Sequence, residues 1–340
     1  MSSSAVNLLL VATPDSAREA GASAAAGAAP EWSREQVEDL AHEALATVGL
    51  PPARTSLVKF RGTFASLRVE RPRLLLKIGS SEWSRGVLDR SLRVSAWLAD
   101  SGFPVAAAAA ETSTGPLPVR GRWAGLWRWE EHDPGRRPDP RAIGELLRSL
   151  HELLERCPVP LQPFDPLGAI RKRQATLTGA GSWLDRPCRE FLASRLERLA
   201  GRWGSFAGEL GGGPIHGDLK LSNVLLTRRG PLLVDFDNCS RGPREWDLSL
   251  LARANAKGWS RDQWPRFAAG YGYDLLARRE NDPLREHAYL RTLLRWLSYK
   301  QDDPRRERGR KLVEEWRRNP GKACFELDWR RATAALAVGP

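Results

Sequence analysis

The sequence predicts an α+β protein that has a smaller, strand-rich N-terminal part and a larger, mostly helical C-terminal part. Three observations favour this fold class. Short apolar runs separated by turn residues cluster before residue 131, with one helical segment between them. A polar linker rich in Pro and Arg follows at residues 132–140, and most later apolar residues recur at helical spacing. One strand–turn–strand pattern, between Val224 and Val234, interrupts the helical part.

The N-terminal part, residues 31–131, follows a leader at residues 1–30 that is rich in Ala, Ser and Gly. We expect the leader to be mobile, apart from a short strand at Asn7–Ala12. Helices are predicted at Trp32–Val48, before Gly49 and Pro51, and at Trp83–Ser101. Strands are predicted at Ser56–Arg61, Leu67–Glu70, Arg73–Ile78, Val105–Ala110 and Leu126–Glu130. Because their connections are largely local, these strands should form a small antiparallel sheet with a helix against it.

The C-terminal part, residues 132–340, is predicted to be helical on both sides of the strand–turn–strand pattern. The predicted helices before it are Arg141–Glu155, Asp165–Thr178 and Pro187–Gly204. A glycine-rich stretch at Gly208–Gly213 then leads into the pattern. Beyond Asp247 the chain is predicted to be helical again to about Trp329.

The composition is that of a basic but otherwise ordinary globular protein. The 340 residues carry a formal net charge of +12, which would suit an anionic partner such as nucleic acid. The basic residues are dispersed and no nucleic-acid-binding motif is present, so we expect no nucleic-acid partner. No apolar segment reaches the roughly 18 residues of a membrane span, so we expect no membrane partner either. Four widely spaced cysteines without a CxxC pair fit a reducing cytoplasm rather than a disulfide framework or a zinc site.

The residues that carry chemistry lie in the stretch Pro214–Leu226 and in Leu232–Asp237. Two short apolar runs flank a tight turn there and predict a hairpin. Because a hairpin brings its open ends together, Asp218, Asn223 and Asp235 can converge on one place. Phosphoryl transfer needs such a cluster, since a carboxylate must position and deprotonate the attacking hydroxyl and oxygen ligands must hold a magnesium ion.

Several segments resemble the aminoglycoside phosphotransferase and choline kinase-like group, which is related to protein kinases. His216–Asn223 looks like the HGDxxxxN motif of that group, and Val234–Asp237 looks like its metal-binding strand end. Gly242–Leu248 is similar to its GPxxxDL segment, and Leu150-His151 to its LH pair. The resemblance implies a bilobal, protein-kinase-like fold. Its small antiparallel-sheet N-lobe, residues 31–131, would bind the nucleotide, and its helical C-lobe, residues 132–340, would carry the catalytic loop and the acceptor site.

The resemblance also implies a role for each residue of the cluster. Asp218 would be the catalytic base or would orient the hydroxyl, and Asn223 and Asp235 would bind Mg²⁺. Lys77, on the third strand, would pair with the α and β phosphates of ATP or GTP. Lys220 would help to neutralise the γ-phosphate, as in the protein-kinase form of the motif.

The remaining nucleotide contacts are implied by position. The segment that includes Trp129 and Glu130 would be the hinge that receives adenine through backbone hydrogen bonds. The predicted nucleotide loop has one glycine and no GxGxxG pattern. Because the group often uses Ser and Thr in this loop, we expect Thr63 and Ser66 to contact phosphates.

The acidic partner of Lys77 departs from the family pattern. In the family a Glu on the following helix pairs with this lysine, but Ser91 stands at that place. Asp89 is two residues away and would lie about 200° round the helix, on the opposite face. We therefore expect either that the helix aligns differently with the family pattern or that another residue, such as Asp235, pairs with Lys77. Weak or altered nucleotide binding is an alternative that follows from the missing Glu.

Four other polar residues have a structural alternative to a chemical role. We expect His216 to be a buried histidine that hydrogen-bonds the loop backbone. Asp247 would brace the catalytic loop or cap the helix that follows it. Asp237 would bind a second metal or the acceptor, or cap a turn, and Glu245 would lie at the rim of the acceptor pocket.

The leading hypothesis is an ATP- or GTP-dependent kinase of a hydroxyl group on a small molecule. An antibiotic, a sugar, an amino alcohol or a biosynthetic intermediate are candidate acceptors, although the net charge of +12 argues against a polycationic aminoglycoside. The second hypothesis is a kinase-like nucleotide- or ligand-binding protein with weak or no turnover, which Ser91 and the nucleotide loop motivate. The third is a nucleic-acid-binding protein, which the net charge alone motivates.

Overall fold

A computed structural model describes residues 33–60, 64–79, 85–112, 115–178, 182–204, 206, 208–252, 263–278, 281–324 and 327. The predicted leader and its short strand lie outside these residues. The described residues belong to two compact units. The first unit takes its residues from Met1–Gln162, Gly213–Arg241 and Lys257–Tyr273, and the second takes its residues from Pro163–Gly212, Gly242–Ala256 and Asp274–Pro340.

An antiparallel sheet of five strands, in the order β1-β2-β3-β5-β4, belongs to the first unit. The strands are β1 (Thr55–Phe60), β2 (Phe64–Val69), β3 (Leu74–Gly79), β4 (Leu117–Val119) and β5 (Arg122–Arg128). The sheet confirms the predicted strands at 56–61, 67–70 and 73–78. β2 begins earlier than predicted because Phe64 pairs with Gly79 across the sheet.

Helix α1 (Arg34–Thr47) covers one face of this sheet. It begins with a capping box in which Ser33 and Gln36 bond to each other's backbone N–H groups. Its buried apolar residues belong to one core cluster with alternate residues of β2 and β3, which include Ala65, Leu67, Leu76 and Ile78. Because side chains alternate across a strand, Ser66 and Lys77 point to the opposite face.

Helix α2 (Arg85–Asp100) packs against that opposite face. Leu88 and Leu92 contact Trp127, which lies near the end of β5. The Trp127 Nε1–H donates to Ser95 Oγ at 3.3 Å, so a buried polar group is satisfied at this contact. The helix thus lies on the side of the sheet that carries Lys77.

The predicted strand Val105–Ala110 is wrong. This segment makes an isolated bridge to Leu233 and another to Trp127, and it ends in a 3-10 turn at Ala110–Thr112. Because its backbone bonds to two different strands in succession, it cannot form a regular ladder with either. A run of alanines also offers few of the β-branched or aromatic side chains that favour strands.

The strand–turn–strand pattern is confirmed as the hairpin of β7 (Val224–Thr227) and β8 (Gly230–Leu233). Strand β6 (Gly212–Ile215) precedes the loop that leads to it, and β9 (Ser240–Pro243) follows it. The loop between β6 and β7 and the turn after β8 therefore both belong to the ends of one hairpin, as the sequence predicts.

Helices α3 (Pro140–Leu154) and α7 (Trp264–Tyr271) complete the first unit and pack very closely. A Cβ atom on Gly144 would lie 2.3 Å from the Phe267 carbonyl oxygen, so this approach requires glycine. His151, of the predicted LH pair, is buried, and its Nδ1 lies 2.8 Å from the Tyr271 hydroxyl.

The second unit is helical. Its helices are α4 (Gly168–Thr178), α5 (Arg186–Gly204), α6 (Glu245–Leu251), α8 (Asp282–Leu297) and α9 (Pro304–Arg318). Between α5 and α8, Glu286 is fully buried and pairs with Arg195 at 2.7 Å and with Arg202 at 2.6 Å. No helix among the described residues is both long and apolar enough to cross a membrane.

Candidate active site

The loop after β6 is held by His216, which is fully buried. Its Nε2–H donates to the Val234 carbonyl oxygen at 3.0 Å, and its Nδ1 accepts from the Asp218 N–H at 3.4 Å. Gly217 has φ of 81°, and a Cβ atom there would lie 2.1 Å from the Asn238 carbonyl oxygen. The histidine thus ties the loop to the end of the hairpin, as expected for a structural residue.

Asp218 follows this glycine and keeps part of its side chain exposed. Lys220 Nζ donates to Asp218 Oδ2 at 2.5 Å, and the Asn223 side-chain nitrogen donates to the Asp218 carbonyl oxygen at 2.9 Å. The Val234 N–H in turn donates to the Asn223 carbonyl oxygen at 3.0 Å. These bonds join the catalytic-loop candidates to the segment that carries Asp235.

Lys77 connects the sheet to the same segment. Its Nζ donates to Asp235 Oδ1 at 2.9 Å and also contacts Asp237 Oδ2. The Lys77 side chain is 8% exposed, and those of Asp235 and Asp237 are 22% and 7% exposed. Asp235 has φ of 72°, which is uncommon for a residue with a side chain and frequent at functional sites. The partners of Lys77 are therefore two carboxylates from the turn after β8, one of which is the expected Asp235.

The electrostatics of this cluster depend on burial and on its lysines. Burial would raise the pKa of Asp235, but Lys77, Lys220 and Lys59 together hold it well below its ordinary value. Burial would likewise lower the pKa of Lys77, but Asp235 and Asp237 raise it above its ordinary value. Burial raises the pKa of Asp237 to about 6, although Lys77 acts against that rise. At neutral pH the cluster therefore holds ionised carboxylates beside ammonium groups.

Lys59 is a residue of this site that the sequence reasoning missed. It lies opposite Ser66 in the sheet register, and Ser66 lies opposite Lys77, so the three side chains share one face. The Lys59 and Lys77 ammonium groups lie 5.0 Å and 4.8 Å from the centroid of one ring, that of Phe64. The signal that singled out Lys77, a lysine between apolar strand neighbours, also applies to Lys59.

The expected adenine hinge follows β5. The Trp129 N–H donates to the Arg73 carbonyl oxygen at 3.0 Å, and the Glu130 carbonyl oxygen lies 2.9 Å from His132 Nδ1. The Trp129 backbone donor is thus used within the protein, and a base would need other backbone groups of this segment. Thr63, the other expected nucleotide contact, lies outside the described residues.

Two residues that we expected at the acceptor are buried instead. The Asp237 side chain is 7% exposed, and its carboxylate pairs with Lys77. Glu245 is 0% exposed, and its Oε1 accepts from the Leu210 N–H at 2.7 Å. The expectation of a rim position for Glu245 overlooked its place in the first turn of a buried helix, α6, where Asp247 is also buried.

The donor atoms of this site suit a magnesium ion. Asn223 uses its side-chain nitrogen as a donor, which leaves its oxygen as the ligand atom. Lys77 faces two carboxylates, so these three groups carry an excess of negative charge when both are ionised. No group of three or more His, Cys, Asp or Glu side chains in the described part of the chain could hold a metal. An ion held by Asn223 and Asp235 would therefore complete its shell with water and phosphate oxygens, as Mg²⁺ commonly does.

Several solved structures share the fold of this chain at low sequence identity. The GDP complex of aminoglycoside 2'-phosphotransferase-IIIa is 13% identical, with 81% of this chain and 96% of that chain covered and a TM-score of 0.57. Amicoumacin kinase hAmiN, in complex with AMP-PNP, Ca²⁺ and Ami, is 15% identical, with 88% and 99% covered and a TM-score of 0.60. A choline/ethanolamine kinase family protein from Mesorhizobium loti is 18% identical, with 88% and 100% covered and a TM-score of 0.56. These likenesses confirm the predicted α+β, kinase-like fold.

The sequence itself matches a family over most of its length. No curated protein matches it significantly. The model of the phosphotransferase enzyme family, APH, matches residues 58–289, which include most of the sheet, the catalytic-loop candidates and the hairpin. The chain therefore belongs to the phosphotransferase enzyme family.

Proposed function

We propose that this phosphotransferase transfers the γ-phosphoryl group of ATP, or of GTP, to a hydroxyl group of a small molecule. The observation that carries the proposal is the joined cluster of Asp218, Asn223, Asp235 and Lys77. It places a partly exposed carboxylate, an amide oxygen, a second carboxylate and an ammonium group within one hydrogen-bonded arrangement. Phosphoryl transfer is accelerated by positioning and by charge stabilisation, and these are the groups that it requires.

Asp218 is the proposed base that positions the acceptor hydroxyl and takes its proton. Its backbone is fixed by His216 and Asn223, so its carboxylate is held at a defined place in the loop. Lys220 contacts that carboxylate. We propose that Lys220 turns to the γ-phosphate when nucleotide binds, which would free Asp218 for the hydroxyl.

Asn223 and Asp235 are the proposed ligands of Mg²⁺, which would neutralise charge on the phosphates when bound. Lys77 would hold the α and β phosphates, and Ser66 would support them from the neighbouring strand. The N-terminal residues 31–131 would thus supply most nucleotide contacts, including backbone groups near Trp129 and Glu130, and residues 132–340 would supply the catalytic loop and acceptor site.

The acceptor is proposed only as a class. The solved structures named above are those of an aminoglycoside phosphotransferase, a choline/ethanolamine kinase family protein and amicoumacin kinase, so amino alcohols and antibiotics are the first candidates to test. The net charge of +12 disfavours a polycation unless a local acidic pocket offsets it. None of the four cysteines is in a disulfide, which suits our proposal of a cytoplasmic enzyme.

The first test is the melting temperature with and without Mg-ATP and Mg-GTP, followed by nucleoside diphosphate release with a panel of acceptors. We expect a magnesium-dependent rise in melting temperature and turnover with at least one acceptor. Asp218→Asn should reduce turnover by about 10²- to 10⁴-fold without loss of nucleotide binding, whereas Asp100→Asn, an exposed control, should not. Nucleotide binding without turnover for any acceptor would favour the weak kinase-like binding protein, and an active Asp218→Asn variant would exclude the proposed base.

A further inference from the structure

Lys77 has two carboxylate partners, and one of them is a proposed metal ligand. We infer that Asp237 is the residue that positions Lys77 for the nucleotide phosphates, in place of an acid on helix α2. The inference rests on the proposed function, because it concerns how the phosphate-binding lysine is held when Mg²⁺ occupies Asp235.

The contact between Lys77 and Asp237 is the more buried of the two ion pairs. The Asp237 side chain is 7% exposed, whereas that of Asp235 is 22% exposed and so remains reachable for a metal. A divalent cation on Asp235 would repel the nearby ammonium group and weaken its contact with that carboxylate. Asp237 would then be the carboxylate that still holds Lys77 in place.

Asp237 is itself held from two sides. It lies in the 3-10 turn Phe236–Asn238, whose Phe236 side chain is fully buried. Arg90, on α2, donates from its guanidinium to the Asp237 carbonyl oxygen at 2.8 Å. The next residue of that helix, Ser91, is 1% exposed and lies beside the Asp237 carboxylate. A carboxylate held in place in this way is suited to orient the ammonium group of Lys77, because it cannot readily move toward a bound ligand.

Helix α2 does not supply a competing acid. Asp89, one of its two acidic residues, pairs with Arg93 on the same helix at 3.7 Å, and its side chain is 39% exposed. The other, Asp100, is the last residue of the helix and is exposed. The position that faces the cluster is Ser91, whose short side chain leaves the space that the Asp237 carboxylate fills.

The test measures binding of a nucleoside diphosphate and of its nucleoside by calorimetry, with and without Mg²⁺, on the full chain. The base is the one that the wild type binds. Lys77→Met sets the loss expected when the lysine is absent. Asp237→Asn should reproduce that loss, with an affinity for the diphosphate that is about tenfold or more lower and an affinity for the nucleoside that changes little. The same loss should be seen with EDTA present. Asp235→Asn with EDTA should not weaken diphosphate binding, because Asp237 still holds the lysine.

A second variant makes the test independent of simple damage to the turn. Because Ser91 lies beside the Asp237 carboxylate, Ser91→Glu in the Asp237→Asn background offers Lys77 a carboxylate from the helix instead. We expect this double variant to recover at least threefold in diphosphate affinity over Asp237→Asn. Ser91→Gln in the same background is the matched control and should not recover, since it adds the same bulk without the charge.

The outcomes separate the inference from the function on which it rests. A wild-type protein that binds neither ADP nor GDP refutes the proposed function. A wild type that binds, with Asp237→Asn unchanged in its diphosphate affinity, refutes the inference alone. A loss that appears only with Mg²⁺ and that excess Mg²⁺ reverses would make Asp237 a metal ligand and would also overturn the inference. Equal recovery of diphosphate affinity by Ser91→Glu and Ser91→Gln would show that a negative charge beside Lys77 is not needed. That result would also overturn the inference.

Discussion

Replacing Lys77 by methionine should destabilise the protein by a predictable amount. The substitution keeps the length of the side chain and removes its charge. In the wild type this charge lies between two carboxylates, with the Asp235 contact at 2.9 Å and the Asp237 contact more buried. The variant would leave both carboxylates near each other without the lysine that now lies between them.

The magnitude follows from the burial of the pair. Removing one partner of a buried ion pair costs about 3–5 kcal/mol, since the remaining charge stays desolvated. We expect the lower end, about 3 kcal/mol, because 22% of the Asp235 side chain is exposed and Lys220 and Lys59 also act on it. For a domain of this size class, about 2–4 °C per kcal/mol converts this loss to a fall in melting temperature of about 6–12 °C.

The assay is urea unfolding and calorimetric melting of the wild type, Lys77→Met, Asp237→Asn and the double variant. The double variant should be less destabilised than the sum of the single changes by about 1–3 kcal/mol, because the two side chains contact each other. Millimolar Mg²⁺ should restore more stability to Lys77→Met than it adds to the wild type, since a cation replaces the lost charge. Lys172→Met, which removes an exposed lysine of α4, is the control and should change stability by at most about 0.5 kcal/mol.

A loss below about 0.5 kcal/mol in Lys77→Met would refute this reasoning, because the carboxylates would then not need the ammonium group. Strict additivity in the double variant would also contradict it. In that case the contact between Lys77 and Asp237 would not be an energetic pair in solution.

Three further changes test other parts of the site. Gly217→Ala should lower the free energy of unfolding by about 2 kcal/mol and reduce turnover, because φ is 81° and the added Cβ would meet the Asn238 carbonyl; urea unfolding and kinetics measure both. Lys59→Gln should raise the KM for nucleotide about three- to tenfold with kcat nearly unchanged, because one positive charge is lost from the sheet face that carries Lys77. Burial raises the pKa of Glu245, so its contribution to stability is largest below its unfolded pKa of about 4.5 and falls as the pH rises through the folded value. Glu245→Gln, which keeps an acceptor for the Leu210 N–H, should flatten stability against pH above that point, as melts across pH would show.

Opposite results would contradict these expectations individually. A Gly217→Ala variant with wild-type stability would mean that the loop can move away from the hairpin turn. A fall in kcat alone in Lys59→Gln would place that lysine in the chemical step rather than in ground-state nucleotide binding. An unchanged pH profile in Glu245→Gln would mean that this carboxyl titrates alike in the folded and unfolded chain.

The sequence could predict the hairpin and the polar residues at its ends because these features are local. Asp218, Asn223 and Asp235 lie within one short stretch, and the apolar runs on either side of the turn allow few other conformations. Most helices were also predicted within a few residues of their observed bounds, since helical periodicity and its stop signals are local too. The same holds for His216, whose bond to Val234 follows from the closure of the hairpin.

Only the tertiary structure decided which distant residues contact the hairpin and its turn. Lys77 and its two carboxylate partners are 158 and 160 residues apart in sequence, and Arg90 and the Asp237 carbonyl are 147 apart. No local pattern determines such pairs, because they depend on how the sheet, α2 and the hairpin pack in the first unit. The sequence showed that Ser91 stands where an acid on α2 was expected. Only the packed structure showed that the turn after β8 supplies two carboxylates to Lys77 instead. Lys77 needs such partners because a buried ammonium group is costly unless it is paired.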